Sequence, residues 1–119
     1  MAIKGLGMDA VELSRIEKIV VEPKSFLEKV LTPKELEKYH TLPFKRKVEF
    51  LAGRFAAKEA YAKALGTGIG QHVLFQDIEV LNDATGKPVL VCERYSHQTW
   101  ISITHTNHDA YAVVVLESN

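Results

Sequence analysis

The sequence has little of what marks secreted, fibrous or membrane-embedded chains. Cys92 is the single cysteine among 119 residues, so no internal disulfide can form. Four prolines and seven glycines, without any repeat, exclude a collagen-like or low-complexity chain. The longest uninterrupted apolar run, residues 110–116, has seven residues, whereas a membrane-spanning helix needs about 20. We therefore expect no membrane partner and a fold that needs no covalent cross-link.

Net charge is also lacking, because 15 basic residues balance 15 acidic ones. A neutral chain has no general affinity for the phosphate backbone, so we expect no nucleic-acid partner. The first twenty residues carry Lys4, Asp9, Glu12 and Arg15, which interrupt any apolar stretch of the kind found in a signal peptide. Together with the lone cysteine, this pattern favours a cytoplasmic protein.

The charges are nevertheless spread unevenly, with a basic excess in residues 42–66. This segment has two acidic residues, Glu49 and Glu59, against six basic ones: Lys45, Arg46, Lys47, Arg54, Lys58 and Lys63. Such an excess is typical of a solvated surface, and it also suits a site for an anionic ligand. Charge alone leaves both interpretations open.

Length and composition indicate one α+β domain spanning residues 1–119, with an antiparallel sheet packed against one long helix and shorter helices. The predicted strands cover residues 3–8, 75–81, 88–93, 100–104 and 110–117. The predicted helices cover residues 9–20, 25–31, 33–40 and 45–65. Asp9 followed by Glu12 predicts the cap of the first helix, and Thr32 followed by Glu35 predicts that of the third. Gly66 is placed to end the longest helix in a left-handed conformation.

Glu59 is the first candidate for chemistry, because it falls on the apolar stripe of the long helix. A buried carboxylate without a partner costs several kcal/mol, so Glu59 needs a cation or a shared proton. An ion pair with Lys63, one turn later, would satisfy it without any function. A divalent cation is the other interpretation. Asp9, at the end of the first strand, is then the natural second ligand, since Mg²⁺ is often held by one or two carboxylates with phosphate oxygens.

Two further features fit a phosphorylated ligand. Lys63 can reach a second phosphate oxygen from its position beyond Glu59. The glycine-rich loop at residues 66–70 lets backbone amides approach a ligand, although it lacks the Gly-Lys-Ser/Thr ending of a Walker loop and follows a helix. A simple helix stop explains the same loop. His105, His108 and Asp109 are too few and wrongly spaced for a zinc motif.

A set of motifs in fixed order resembles the phosphopantetheinyl transferase superfamily, over essentially the whole chain. The stretch at residues 49–60, Glu-Phe-Leu-Ala-Gly-Arg-Phe-Ala-Ala-Lys-Glu-Ala, is similar to that of its short branch, the bacterial holo-acyl-carrier-protein synthases. The other motifs are Gly7-Met8-Asp9, Lys63, the loop at 66–70, Gly86-Lys87-Pro88, and Ile101-Ser102-Ile103-Thr104-His105.

The resemblance implies transfer of 4'-phosphopantetheine from coenzyme A to a serine of apo acyl carrier protein, with release of adenosine 3',5'-bisphosphate, for fatty acid biosynthesis. It implies Mg²⁺ bound by Asp9 and Glu59, with Mn²⁺ suited to the same ligands, and Lys63 on the pyrophosphate. It implies a coenzyme site that includes Gly66, Thr67, Gly68, Gly86, Lys87, Pro88 and His105. Glu59 and a metal-bound water both remain candidates for accepting the serine proton.

The same resemblance implies a homotrimer with its site between subunits. Larger members carry a second acid two residues after the first, where this chain has Val11; Glu12 is a candidate for an outer role there. Arg15 and Lys18 on the first helix, flanked by Ile16 and Ile19, would suit an acidic carrier protein. A binding module for anions or nucleotides and a metal-dependent phosphohydrolase remain the alternative functions.

Overall fold

The structure, a computed structural model, describes residues 2–23 and 25–118. In this part of the chain, a three-stranded antiparallel sheet in the order β1-β5-β4 packs against the longest helix. A separate hairpin is formed by β2 and β3. The strands are β1 Ile3–Glu12, β2 Ile78–Asn82, β3 Pro88–Cys92, β4 Gln98–His105 and β5 Asp109–Glu117. The helices are α1 Leu13–Val21, α2 Phe26–Val30, α3 Pro33–His40 and α4 Phe44–Leu65. The α+β prediction is therefore confirmed.

Close approach of β1 to α4 explains the two glycines inside the first strand. A Cβ atom added at Gly5 would collide with the backbone oxygen of Ala64, and one at Gly7 would collide with that of Ala60. Glycine usually weakens a strand, but here it lets the helix backbone lie directly on the sheet. The alternating buried residues of β5, among them Val114 and Leu116, complete that core face.

Local sequence signals located two helix ends correctly. The side-chain oxygen of Thr32 accepts a hydrogen bond from the Glu35 amide at 3.3 Å, and the Thr32 amide donates to the Glu35 carboxylate at 2.8 Å. This reciprocal pair is the predicted capping box of α3. Gly66 follows α4 with φ of 83°, the left-handed conformation that glycine tolerates best.

The predicted start of the first helix at Asp9 is wrong. β1 continues to Glu12, because Asp9 pairs with Ala112 and Glu12 pairs with Asp109 across the ladder to β5. α1 therefore begins at Leu13 without a side-chain cap. The capping pattern of Asp9 and Glu12 is a short-range signal, and the pairing with a strand near the other end of the chain overrides it.

The predicted strand at residues 75–81 also needs correction at its start. Phe75–Asp77 forms a single 3₁₀ turn, in which the Asp77 carboxylate accepts a hydrogen bond from the Leu74 amide at 2.8 Å. β2 begins only at Ile78.

Among the described residues, no helix combines the length and apolarity needed to cross a membrane.

A buried ion pair, which was not predicted from the sequence, anchors α4 to the neighbouring segments. Lys58 and Glu35 are fully buried, and the Lys58 ammonium lies 2.6 Å from a Glu35 carboxylate oxygen. The same ammonium donates to the backbone oxygens of Val30 at 2.6 Å and Phe75 at 3.2 Å. The other Glu35 oxygen accepts from the Val80 amide at 2.7 Å. Four separate segments are thereby tied to one face of the helix.

Candidate functional site

Asp9, Glu59 and Lys63 come together where β1 crosses the C-terminal half of α4. The Lys63 ammonium donates to the Asp9 carboxylate at 3.0 Å and to the Met8 backbone oxygen at 3.1 Å. Glu59 lies one helical turn before Lys63 and is half-buried. The strand therefore presents Asp9 to the helix, and the two acids lie close together within one chain.

The two charged neighbours of Glu59 in this cluster act on its pKa in opposite directions. Burial raises the pKa of Glu59, the negative charge of Asp9 raises it further, and the positive charge of Lys63 opposes both effects. A carboxylate whose ionisation is disfavoured in this way is stabilised by a nearby cation. The intrahelical ion pair between Glu59 and Lys63, considered from sequence, is not what forms here, because Lys63 contacts Asp9 across the two elements.

The donor set suits a hard divalent cation with few protein ligands. Carboxylate oxygens are the ligands that Mg²⁺ and Mn²⁺ prefer, and Mg²⁺ usually keeps several positions for water or phosphate. In the described residues, no group of three or more His, Cys, Asp or Glu side chains is placed to hold a metal ion. Among these side chains, a cation bound here would therefore rely on Asp9 and Glu59. Val11 is buried in the core, and Glu12 lies on the opposite face of β1 from Asp9.

The loop after α4 differs from the prediction made for its amides. The amides of Gly66, Thr67 and Gly68 donate back to helix carbonyls at 2.9 to 3.2 Å, so they cap α4 instead of pointing at a ligand. The Gly70 amide donates to the Val73 backbone oxygen at 2.8 Å. Gly66 and Gly68 both have positive φ and open space around the position of a Cβ. The backbone of this loop is therefore accessible to a ligand next to Lys63.

Gly86, Pro88 and His105 meet elsewhere, around a cavity of about 590 Å³ near the N-terminal half of α4. Lys87 is not among its lining residues; its ammonium lies 5.5 Å from the centre of the Trp100 ring. The turn that carries Gly86 is built as expected from turn residues, with the Asp83 carboxylate accepting from the Lys87 amide at 3.0 Å. Three of the four expected residues therefore share one cavity.

The cavity and the acidic cluster, which is formed by Asp9, Glu59 and Lys63, lie along different halves of α4. The His105 ring nitrogen lies 3.5 Å from the Glu49 carboxylate, which marks the cavity end of the helix. Glu59 follows ten residues later, and a rise of 1.5 Å per residue separates the two positions by about 15 Å along the helix axis. One chain thus carries two separate groups of the expected site residues.

Arg46 and Arg54 also line this cavity, and the sequence did not single them out. Arg54 is 8% exposed and donates to the Asn82 side chain at 2.8 Å. Its guanidinium lies 4.2 Å from the centre of the Phe50 ring. Burial lowers the pKa of Arg54, and the negative charge of Glu35 opposes that shift. The basic excess of residues 42–66 was the available signal, but a charge count does not say which side chains share a cavity.

Arg15 and Lys18 are exposed on α1, as a surface for a protein partner requires. Of the two apolar residues predicted to flank them, Ile16 is 2% exposed and belongs to the core, and Ile19 is half-buried and packs against it. Val21, with 69% of its surface exposed, is the apolar residue that lines the same shallow groove as Lys18.

Comparison with known proteins gives one consistent family. The family model of the 4'-phosphopantetheinyl transferase superfamily matches residues 5–116. The holo-[acyl-carrier-protein] synthase of Enterococcus faecalis is 55% identical over 116 residues, covering 98% of each chain. That of Bacillus subtilis is 52% identical over 116 residues, covering 97% of this chain and 96% of the other.

Solved structures agree over nearly the whole chain. A holo-(acyl-carrier-protein) synthase from Bacillus anthracis, in complex with CoA (3',5'-ADP), superimposes with a TM-score of 0.93 at 50% identity and 98% coverage of both chains. The enzyme from Helicobacter pylori, in complex with coenzyme A, has a TM-score of 0.82 at 36% identity, covering 94% of this chain and 99% of that one.

Proposed function

The chain belongs to the 4'-phosphopantetheinyl transferase superfamily, among its holo-[acyl-carrier-protein] synthases, and from this premise we propose its reaction. It transfers 4'-phosphopantetheine from coenzyme A to a serine of apo acyl carrier protein and releases adenosine 3',5'-bisphosphate. The reaction depends on Mg²⁺, or on Mn²⁺ in its place, and serves fatty acid biosynthesis in the cytoplasm. Residues 1–119 act as a single transferase domain. The observation that carries the proposal is the convergence of Asp9 and Glu59 beside Lys63.

Each member of the acidic cluster has a defined part in this reaction. Asp9 and Glu59 would hold the divalent cation, which when bound would supply positive charge to the oxygens of the diphosphate. Lys63 adds a second positive charge from the adjacent turn of α4. The serine oxygen gives up its proton, for which Glu59 and a water are the candidate acceptors, and bonds to the phosphorus that carries pantetheine, while the bond from that phosphorus to the bisphosphate breaks. Positioning and electrostatics provide most of the rate enhancement in reactions of this kind.

The cavity at the other end of α4 suits the nucleotide part of coenzyme A. Arg46, Arg54 and His105 place basic groups around it, and adenosine 3',5'-bisphosphate is strongly anionic. Gly86 and Pro88, which are small residues, form a shallow part of the cavity wall. Gly66, Thr67 and Gly68 line the coenzyme near its diphosphate, through their accessible surface instead of their amides. Lys87 stays a prediction, since it does not line the cavity of its own chain.

The separation of the two groups supports a homotrimer with sites between subunits. In coenzyme A the diphosphate is bonded directly to the nucleoside, so the cluster and the cavity that hold them must adjoin. Along α4, Glu59 lies about 15 Å from Glu49, which pairs with His105, and about 8 Å from Arg54 at the other end of the cavity; in this proposal the cavity of a neighbouring subunit completes the site. The outer sheet face offers the contact surface: Leu6 and Trp100, 66% and 47% exposed, flank Val115 in one row across the strands.

The carrier protein binds at α1 in this proposal. Arg15 and Lys18 contribute positive charge toward an acidic partner, and the exposed Val21 contributes apolar area. The complementary charges would speed association more than they would lengthen the life of the complex.

A single assay distinguishes the proposed transfer from its alternatives. The chain is mixed with coenzyme A, Mg²⁺ and an apo carrier protein, and the carrier is weighed by mass spectrometry. We expect the carrier to gain one phosphopantetheine group and an equal amount of bisphosphate to appear. Bisphosphate without a heavier carrier would indicate a phosphohydrolase, and no reaction with retained coenzyme binding would indicate a binding module.

A further inference from the structure

The Lys63 ammonium is bound to the Asp9 carboxylate, which the proposed function assigns to the divalent cation. Its ammonium contacts one oxygen of Asp9 at 3.0 Å and the backbone oxygen of Met8 at 3.1 Å. Both acceptors belong to β1, so the lysine spans from the last turn of α4 to the strand. A positive charge on Asp9 partly neutralises the acidic cluster.

We propose that Lys63 and the divalent cation alternate as the counter-charge of Asp9, with Lys63 moving from Asp9 to the coenzyme's diphosphate as the coenzyme binds. This inference rests on the proposed function and adds an order to it. The lysine weakens binding of the cation by itself and favours binding of the cation together with the coenzyme.

Burial shows which partner of the ion pair moves. The Asp9 side chain is 17% exposed and sits on a strand held by its ladder to β5, whereas the Lys63 side chain is 52% exposed. A lysine stem has several rotatable bonds, and exposed ion pairs contribute at most about 1 kcal/mol to stability. The Asp9–Lys63 pair is therefore easily exchanged, while Asp9 stays in place.

Charge explains why exchange couples the two ligands. An ammonium on Asp9 repels a divalent cation at the same carboxylate, so each lowers the other's occupancy. The diphosphate gives Lys63 another anion, which removes the repulsion from Asp9. Coupling of this kind is reciprocal, so the cation strengthens coenzyme binding by the same factor.

Binding of Mn²⁺ alone to the full chain, measured by calorimetry and by the loss of the free-ion paramagnetic resonance signal, tests the proposal. We expect Lys63→Met to bind Mn²⁺ about tenfold more tightly than the unaltered chain, since one competing charge is gone. Lys63→Arg keeps the charge and should match the unaltered chain within about twofold. Lys29→Met, at an exposed position of α2, controls for the change in net charge.

The same titration with coenzyme A present completes the test. Coenzyme A should tighten Mn²⁺ binding by a larger factor in the unaltered chain than in Lys63→Met. Equal or weaker Mn²⁺ binding by Lys63→Met without coenzyme would overturn the exchange and leave the metal site itself standing. Absence of Mn²⁺ binding to the unaltered chain, with and without coenzyme, would overturn the metal part of the proposed function together with the exchange.

Discussion

Two lysine–carboxylate pairs on the same helix show how burial separates a structural ion pair from one suited to chemistry. Lys58 and Glu35 are fully buried, and the Lys58 ammonium has three acceptors, one for each of its N–H groups. Lys63 lies five residues later with half of its side chain exposed, and it bonds to two acceptors on one strand. The first pair cannot exchange its partner without unfolding the surroundings. The second pair faces solvent, where a ligand can compete for it.

The pKa directions agree with this division. Burial lowers the pKa of Lys58, and the negative charge of Glu35 opposes that shift. In the exposed cluster the perturbed group is Glu59, whose pKa is raised by burial and by Asp9. A perturbed pKa in a group that lacks a full set of partners is typical of functional sites. A perturbed pKa inside a network whose hydrogen bonds are all made is typical of structural ion pairs.

Removing the buried lysine should have the largest effect on stability. Lys58→Met leaves the Glu35 carboxylate buried without its cation, and we expect a loss of about 3–5 kcal/mol in the free energy of unfolding. Urea denaturation followed by circular dichroism measures it. Lys63→Met is the matched control, since the same substitution at the exposed pair should change stability by less than about 0.5 kcal/mol. Equal losses in the two variants would contradict the comparison.

Removing the charge of Glu59 should have the opposite profile, a large loss of activity with no loss of stability. Glu59→Gln keeps the shape of the side chain, but it removes a ligand of the proposed cation, so transfer should fall at least about a hundredfold. The carrier mass assay measures it. Glu37→Gln, an exposed acid on α3, should retain full activity. A fully active Glu59→Gln variant would remove Glu59 from the site.

The pH dependence of stability sharpens the same variant. Because the pKa of Glu59 is raised in the folded chain, ionising its carboxylate disfavours folding. This effect is fully present above the folded pKa and disappears as pH falls below the unfolded value. The unfolding free energy of Glu59→Gln should therefore exceed that of the unaltered chain at neutral pH, and the difference should vanish in acid. A difference that is independent of pH would mean that ionisation of Glu59 is not its source.

Mixing inactive subunits tests whether the two groups of site residues belong to different chains. Glu59→Gln damages the acidic cluster and His105→Ala damages the cavity, so each variant alone should be nearly inactive. After equal mixing and reassociation, about a quarter of the shared sites should combine two intact halves and recover activity. Recovery measured with the carrier assay would support sites between subunits. Absence of recovery, with native mass spectrometry of one isotope-labelled variant showing mixed assemblies, would place each site within one chain.

Signals that act over a few residues were sufficient for much of the fold. Thr32 with Glu35 and the left-handed Gly66 set helix ends by hydrogen bonds within one turn, and both were predicted correctly. Asp9 misled because its helix-capping pattern competes with a ladder to β5. The site prediction named Asp9, Glu59 and Lys63, which the structure does bring together, but not Arg54, because only the fold shows that it borders the cavity.

The sequence alone determined that this is one α+β domain, and its ordered motifs pointed to the family and to the acids of the candidate site. Tertiary structure decided which charged residue of α4 is structural and which is exposed to ligands. Lys58 and Glu59 are adjacent, and α4 is buried around most of its circumference, so helical periodicity cannot rank them. The partner does: Lys58 faces Glu35 in the core, and Glu59 faces Asp9 and Lys63 at the edge of the sheet.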